Sequence, residues 1–304
     1  EVINYAIRGA LATLDYDSEG NKREDFDEVA NRFSESAMLV LGIENSDGEL
    51  RHYGLPETQS FPMLFVRIDI LAEMDIPIPK TWEDIYAAQT DLEGNNMEIG
   101  LTTDYKMFLY QAGGELFADD GMRINLDSEE GLNAFETMCN LFTMRSFPYQ
   151  YDAANRFRTG EMPILIGDYT GLYNQLKVFA TEIEGAWVMV PVPGVRQEDG
   201  SINNKAISSV SASVLVKGCD TRNQKDNAWQ YIKWFTGDYC QTEYANEMVA
   251  LLGPSAKYPT ANINALENLT VTENKVYERN TANVIDNNYA NIYPVIRIES
   301  GKTY

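Results

Sequence analysis

Residues 53–71 read YGLPETQSFPMLFVRIDIL, and three of them can do chemistry that their neighbours cannot. Glu57 offers two acceptor oxygens, Thr58 a hydroxyl that both donates and accepts, and Gln59 an amide with both functions. Around them, Tyr53, Leu55, Phe61, Met63, Leu64, Phe65, Val66, Ile68 and Ile70 suit a strand in a core. A polar group carried into a core must find a hydrogen-bond partner. The triplet is therefore either an ordinary surface turn or a set of polar groups whose partners come from elsewhere. A second set lies in IGDYTGLY, residues 166–173. Gly167 lets the chain bend after a strand, so that Asp168 and Tyr169 emerge at its C-terminal end, where ligands gather in open α/β sheets. Asp168 can accept from a hydroxyl or cap the helix that follows. Tyr169 offers an aromatic face and a hydroxyl. In SSVSASV, residues 208–214, Ser209 and Ser211 can donate hydrogen bonds or pack as ordinary hydroxyls.

Other chemistries are narrowed by what the chain holds. It has a single histidine, His52, which excludes a His-rich zinc site and any His-based triad that His52 does not serve. In GELRHYGLP that histidine is expected at an exposed turn. Cys139, Cys219 and Cys240 are widely spaced and form no CxxC pair, so no disulfide is expected. No phosphate-cradling glycine loop and no dinucleotide fingerprint is present, and ENSDGEL lacks the spaced acids of a calcium loop. The formal charge is −22, from 46 acids against 24 bases, which repels nucleic acid and anionic membranes while leaving a neutral ligand unaffected. No cofactor or metal is called for. Trp82, Trp229 and Trp234 recur at helical spacing with other apolar residues and are expected in the core.

The elements that would position these groups alternate between helix and short strand, an α/β pattern. Residues 1–50 read as mostly helical, with a helix in SEGNKREDFDEVANRF and a turn at Asp47-Gly48. A strand from Phe61 gives way to helix by Ile70. Thr81 caps the next helix with Asp84 at its third position, EIGLTTD is a short strand, and YKMFLYQAGGELF is a helix ended by Gly113-Gly114. Asp127 or Ser128 opens another helix. AANRFRTGEMPILIGDYTGLYNQL reads as helix, glycine turn, strand, turn, helix, and AWVMVPVPGV and AISSVSASVLVKG as strands. TRNQKDNAWQYIKWFTGDYCQTEYANEM is a long amphipathic helix or two with a break at Gly237, and the tail from Pro259 is mostly helical.

The order of YGLPETQSFPMLFVRIDIL, IPKTWEDIYAA, AGGELF, RFRTGEMPILIGDYTGLYN and NAWQYIKWFTGDYCQTEYA resembles the extracellular solute-binding proteins of carbohydrate ABC importers, the maltose-binding-protein-like family, from about Tyr5 to about Thr260. The resemblance implies a type II periplasmic-binding-protein-like fold of two lobes joined by crossover strands. Residues 1–58 with 209–262 would form the first lobe, and residues 59–208 with 263–304 the second. It also implies that a strand-and-helix unit of the first lobe would precede the equivalent of Tyr5, so that the chain resembles an N-terminally truncated fragment with an incomplete first lobe.

On that resemblance the polar triplet Glu57, Thr58 and Gln59 lies in a crossover strand facing ligand in an inter-lobe cleft, with Asp168 and Tyr169 beside it. Ser209 and Ser211 lie at the return crossing, and Tyr289, Asn291 and Tyr293 in a late cleft segment, where plain helix-end packing is the other reading. The function implied is non-catalytic: to bind an oligosaccharide or monosaccharide and deliver it to the permease subunits of an ABC transporter. The protein would act as a monomer, lipid-anchored on a Gram-positive surface or periplasmic. The alternatives are a binding protein for a peptide or polyamine and, further off, a glycoside hydrolase using Glu57 and Asp168. The last would need the two carboxylates about 5–10 Å apart.

Overall fold

The computed structural model describes residues 1–45, 48–101, 104–117, 124–219 and 222–269. The chain divides into two units, one of residues 1–60 with 208–269 and one of residues 61–207. Ser60, Ser208 and 263–269, given to the second lobe from the sequence, lie in the first unit, as does Gln59. The reason is backbone pairing. Ser60 and Gln59 continue the ladder opposite Ser209 and Val210, and the Ile263 amide donates to the Arg32 carbonyl at 2.9 Å.

The first stretch of the first unit carries α1 (Val2–Ile7), β1 (Leu11–Ala12), α2 (Phe26–Ala30), α3 (Glu35–Leu39), β2 (Gly42–Glu44), β3 (Leu50–His52) and β4 (Gly54–Ser60). Helix is scarcer here than the sequence suggests. The apolar positions Phe26, Val29 and Phe33 do point into one core, but α2 ends at Ala30, and β2 and β3 pair as a hairpin instead of extending a helix. His52 sits on β3, half-buried, with its ring 5.1 Å from that of Phe26, and not at an exposed turn. Its place on the strand follows from pairing with Gly42.

The second unit contains β5 (Pro62–Arg67), α4 (Ile68–Glu73), α5 (Trp82–Glu93), β6 (Ile99–Gly100), α6 (Tyr105–Gln111), α7 (Glu129–Thr143), α8 (Ala153–Thr159), β7 (Ile164–Asp168), α9 (Gly171–Phe179), β8 (Trp187–Val190), β9 (Val195–Arg196) and β10 (Ile202–Asn203). Local rules account for several boundaries. The Thr81 hydroxyl accepts from the Asp84 amide at 3.3 Å while the Asp84 carboxylate accepts from the Thr81 amide at 2.9 Å, closing a reciprocal cap on α5. Ser128 caps α7 through the Gly131 amide. Gly160 ends α8 at φ +82°, a left-handed conformation that favours glycine. The sheet runs β6–β7–β5–β8, parallel only between β6 and β7. Leu64, Val66, Ile164, Ile166, Val188 and Val190 pack from it against Trp82, Ile85 and Leu92 of α5 and Phe108 and Leu109 of α6.

The chain re-enters the first unit with β11 (Ser209–Val216), α10 (Arg222–Phe235) and α11 (Asp238–Leu252), the two helices separated at Gly237. β11 lies between β1 and β4, antiparallel to both. Trp229 and Ile232 of α10 close the core over Leu55, Leu215, Phe26 and Val29.

Candidate functional site

β4 is where local sequence and site geometry meet. Leu55 is fully buried, and the next residue, Pro56, cannot donate to a ladder, so a proline here demands an interruption. The register supplies one: Ala212 faces Pro56 and Ser211 faces Thr58, which leaves Glu57 as an extra residue in a β-bulge. A bulge re-aims a side chain that strict alternation would have sent elsewhere. The other edge of β4 is held by residues near 259. The Gln59 amide donates to the Pro259 carbonyl at 2.8 Å, the Ala261 amide donates to the Glu57 carbonyl at 3.0 Å, and Thr58 bridges Thr260.

Each side chain of the triplet has partners within the first unit. The Glu57 carboxylate accepts from the Ser213 hydroxyl at 3.2 Å and from the Tyr258 hydroxyl at 3.3 Å. Thr58 shares a hydrogen bond with Ser211. Gln59 is buried and donates from Nε2 to the Ser208 hydroxyl at 2.9 Å. Glu57 and Thr58 are half-buried, Ser209 and Ser211 exposed. Burial and the adjoining Glu57 charge hold the Tyr258 hydroxyl well above the usual phenol range. The result is a surface of one carboxylate and several hydroxyls on a stiff, doubly paired strand, able to exchange internal hydrogen bonds for those of a polar guest.

In the second unit, Asp168 ends β7 opposite Pro62. It is exposed, and its Oδ2 accepts from the Gly171 amide at 2.7 Å, tying down the first turn of α9. Tyr169 is 3 % exposed, and its ring stacks on Phe61 at 4.7 Å and 9° while its amide donates to the Phe61 carbonyl at 2.9 Å. Tyr289 and Tyr293 lie outside the described residues, as does Asn291. Ser208, Ser213 and Tyr258 were not singled out in the sequence. The alternation of Ser209, Ser211 and Ser213 hints at Ser213, whereas nothing local points to Tyr258, 201 residues from Glu57.

Trp82 and Trp229 are core residues, 4 % and 1 % exposed, but Trp234 is 59 % exposed and its place in the core is a wrong expectation. It falls on the side of α10 away from Trp229 and Ile232. A separate cavity of about 300 Å³ in the second unit is lined by Trp82, Phe108, Gln111, Ala134, Arg196 and Glu198, and by none of the predicted ligand-binding residues. Its one deep amide is already satisfied: Gln111 Oε1 accepts from the Trp82 indole at 2.7 Å, and Nε2 donates to the carbonyls of Pro193 and Lys205, each at 3.0 Å. Among the described residues, no group of three or more His, Cys, Asp or Glu side chains converges to hold a metal, and no helix is long and apolar enough to cross a membrane.

Residues 1–270 match the family model described as bacterial extracellular solute-binding protein. The chain belongs to that family. This solute-binding protein is thus extracellular or periplasmic, and its role is to bind a solute and not to transform one. No curated protein matches its sequence. Solved structures share its fold of two lobes. A solute-binding protein of an ABC transporter from Thermotoga lettingae, bound with α-D-tagatose, aligns at TM-score 0.60 and 18 % identity over 90 % of this chain and 67 % of its own. An ABC substrate-binding protein from Listeria monocytogenes in complex with cycloalternan aligns at TM-score 0.61 and 18 % identity, over 98 % and 70 %. UgpB from Mycobacterium tuberculosis in complex with glycerophosphocholine aligns at TM-score 0.61 and 15 % identity, over 96 % and 67 %.

Proposed function

We propose that this solute-binding protein takes a carbohydrate and passes it to the permease subunits of an ABC importer, acting as a monomer and, on a Gram-positive surface, held by a lipid anchor. The observation that carries the reading is the Glu57 bulge. It joins a half-buried carboxylate to the hydroxyls of Ser213 and Tyr258, beside the Thr58–Ser211 pair. Such a set suits the hydroxyls of a sugar, each of which donates and accepts. Glu57, Thr58, Ser209 and Ser211 are the contacts assigned to ligand in the first unit. Gln59, buried and bonded to Ser208, holds those contacts in place. The sugars named with the Thermotoga and Listeria neighbours support the same class.

Calorimetry of the protein against tagatose, maltose, cellobiose, glycerophosphocholine, spermidine and a tripeptide tests it. A saturable isotherm with a sugar, weakened in Glu57→Ala, is the expected result. Binding of spermidine or the tripeptide with silence toward every sugar overturns it and selects the polyamine or peptide reading.

A further inference from the structure

The first unit carries a file of aromatic rings that the fold leaves in water. Trp234 and Tyr231 project from α10 at 59 % and 60 % exposure, and Tyr244 from α11 at 41 %. The rings touch in sequence. Trp234 lies 5.8 Å from Tyr231, which stacks on Phe235 at 6.1 Å with the planes 2° apart. Phe235 meets the edge of Tyr244 at 6.1 Å, and Tyr244 meets the edge of Tyr258 at 4.9 Å. Tyr258 then donates its hydroxyl to Glu57 at 3.3 Å. The file therefore runs from open surface to the carboxylate assigned to ligand.

We propose that this file is a platform for the distal rings of an oligosaccharide whose first unit is held at Glu57, so that the solute is a chain of several sugars and not a single one. The inference rests on the carbohydrate reading above. A run of exposed aromatics marks a binding surface more often than idle solubility, because leaving those faces wet is unfavourable. Sugar rings match it in two ways. Their C–H faces lie on aromatic faces, and their edge hydroxyls meet the Tyr hydroxyls and the Trp234 indole N–H at the ring tips. A membrane surface is a poor match. Lys233, the cation next to Trp234 in the chain, is paired with Asp25 at 2.7 Å, and the chain as a whole carries −22, so anionic headgroups are repelled.

The test compares the dimer and hexamer of two glucose series, maltose with maltohexaose and cellobiose with cellohexaose, by calorimetry on wild type, Trp234→Ala and Tyr231→Ala. In the wild type one hexamer binds more tightly than its dimer. Each substitution lowers the hexamer-to-dimer affinity ratio roughly two- to ten-fold, with the midpoint of thermal unfolding within a few degrees of wild type. A wild type that binds dimer and hexamer alike, or substitutions that leave the ratio where it was, overturn the platform alone and leave carbohydrate binding standing. A wild type that binds neither series nor tagatose overturns both. Concentration-dependent self-association that Trp234→Ala abolishes, with the ratio unmoved, gives the face to a second copy of the chain and overturns the platform as well.

Discussion

Replacing Glu57 separates gripping a ligand from holding the fold. Glu57→Ala removes two hydrogen bonds, at 3.2 and 3.3 Å, both long for their kind and both on a half-buried carboxylate. Each is worth about 0.5–1.5 kcal/mol net, and the half-buried hydroxyls of Ser213 and Tyr258 can turn to water, so the loss of stability should stay near about 1–2 kcal/mol. In a chain of this size that lowers the unfolding midpoint by roughly 2–6 °C. A hydrogen bond from a ligand hydroxyl to the ionised carboxylate is worth about 1.5–3 kcal/mol, a loss of roughly 10- to 100-fold in affinity. Tyr258→Phe is the matched control. It removes one of the two internal bonds but keeps the carboxylate, so it should lower the midpoint by about half as much while changing affinity by less than Glu57→Ala does. The assay is calorimetry with the best-bound sugar, paired with thermal unfolding of each variant. A drop in affinity shared equally by Tyr258→Phe and Glu57→Ala would refute the reasoning, since it would mean that Glu57 acts by holding the strand. Unchanged affinity in Glu57→Ala would refute it outright.

Three further outcomes follow from single contacts. Asp168→Ala should cost about 0.5–2 kcal/mol by freeing the Gly171 amide at the start of α9, and Asp168→Asn, which keeps an acceptor, should cost less; denaturant unfolding of the two variants reads the difference. Gly160→Ala should destabilise by about 1–2 kcal/mol or more, because the residue sits at φ +82° and a Cβ there would lie 2.9 Å from Ile70 Cδ1; a midpoint equal to wild type would contradict it. Burial holds the His52 imidazole below its ordinary value of 6.5. The unfolded chain therefore takes up the proton first as pH falls, so the stability that His52 leaves intact above about pH 6.5 is lost as pH drops toward its folded value. Asp15, 2 % exposed, runs the other way: desolvation raises its carboxyl above 3.8, so its contribution is whole below that pH and lost as pH rises through the folded value. Asp15→Asn should then raise the unfolding midpoint at neutral pH, and His52→Gln should flatten its slope between pH 5 and 7.

The parts of this protein legible in its sequence are those whose physics closes within a few residues. Thr81 with Asp84, Ser128 with Gly131, the left-handed Gly160 and the break at Gly237 each depend on neighbours no more than four residues away. The oddity of Glu57-Thr58-Gln59 between apolar segments is legible for the same reason: residue type alone makes three polar groups in a strand conspicuous. What they bond to is not legible. Ser208, Ser213 and Tyr258 stand 149, 156 and 201 residues away from their partners, and the bulge that singles out Glu57 exists only because β11 is its neighbour. The same holds for α10, where apolar residues fall on both sides at helical spacing. Periodicity cannot say which side is covered, and only the packing of Trp229 and Ile232 onto Leu55 and Leu215 sends Trp234 and Tyr231 into water. Composition and spacing state what a residue can do; which residue meets it is decided by chain segments that come together only on folding.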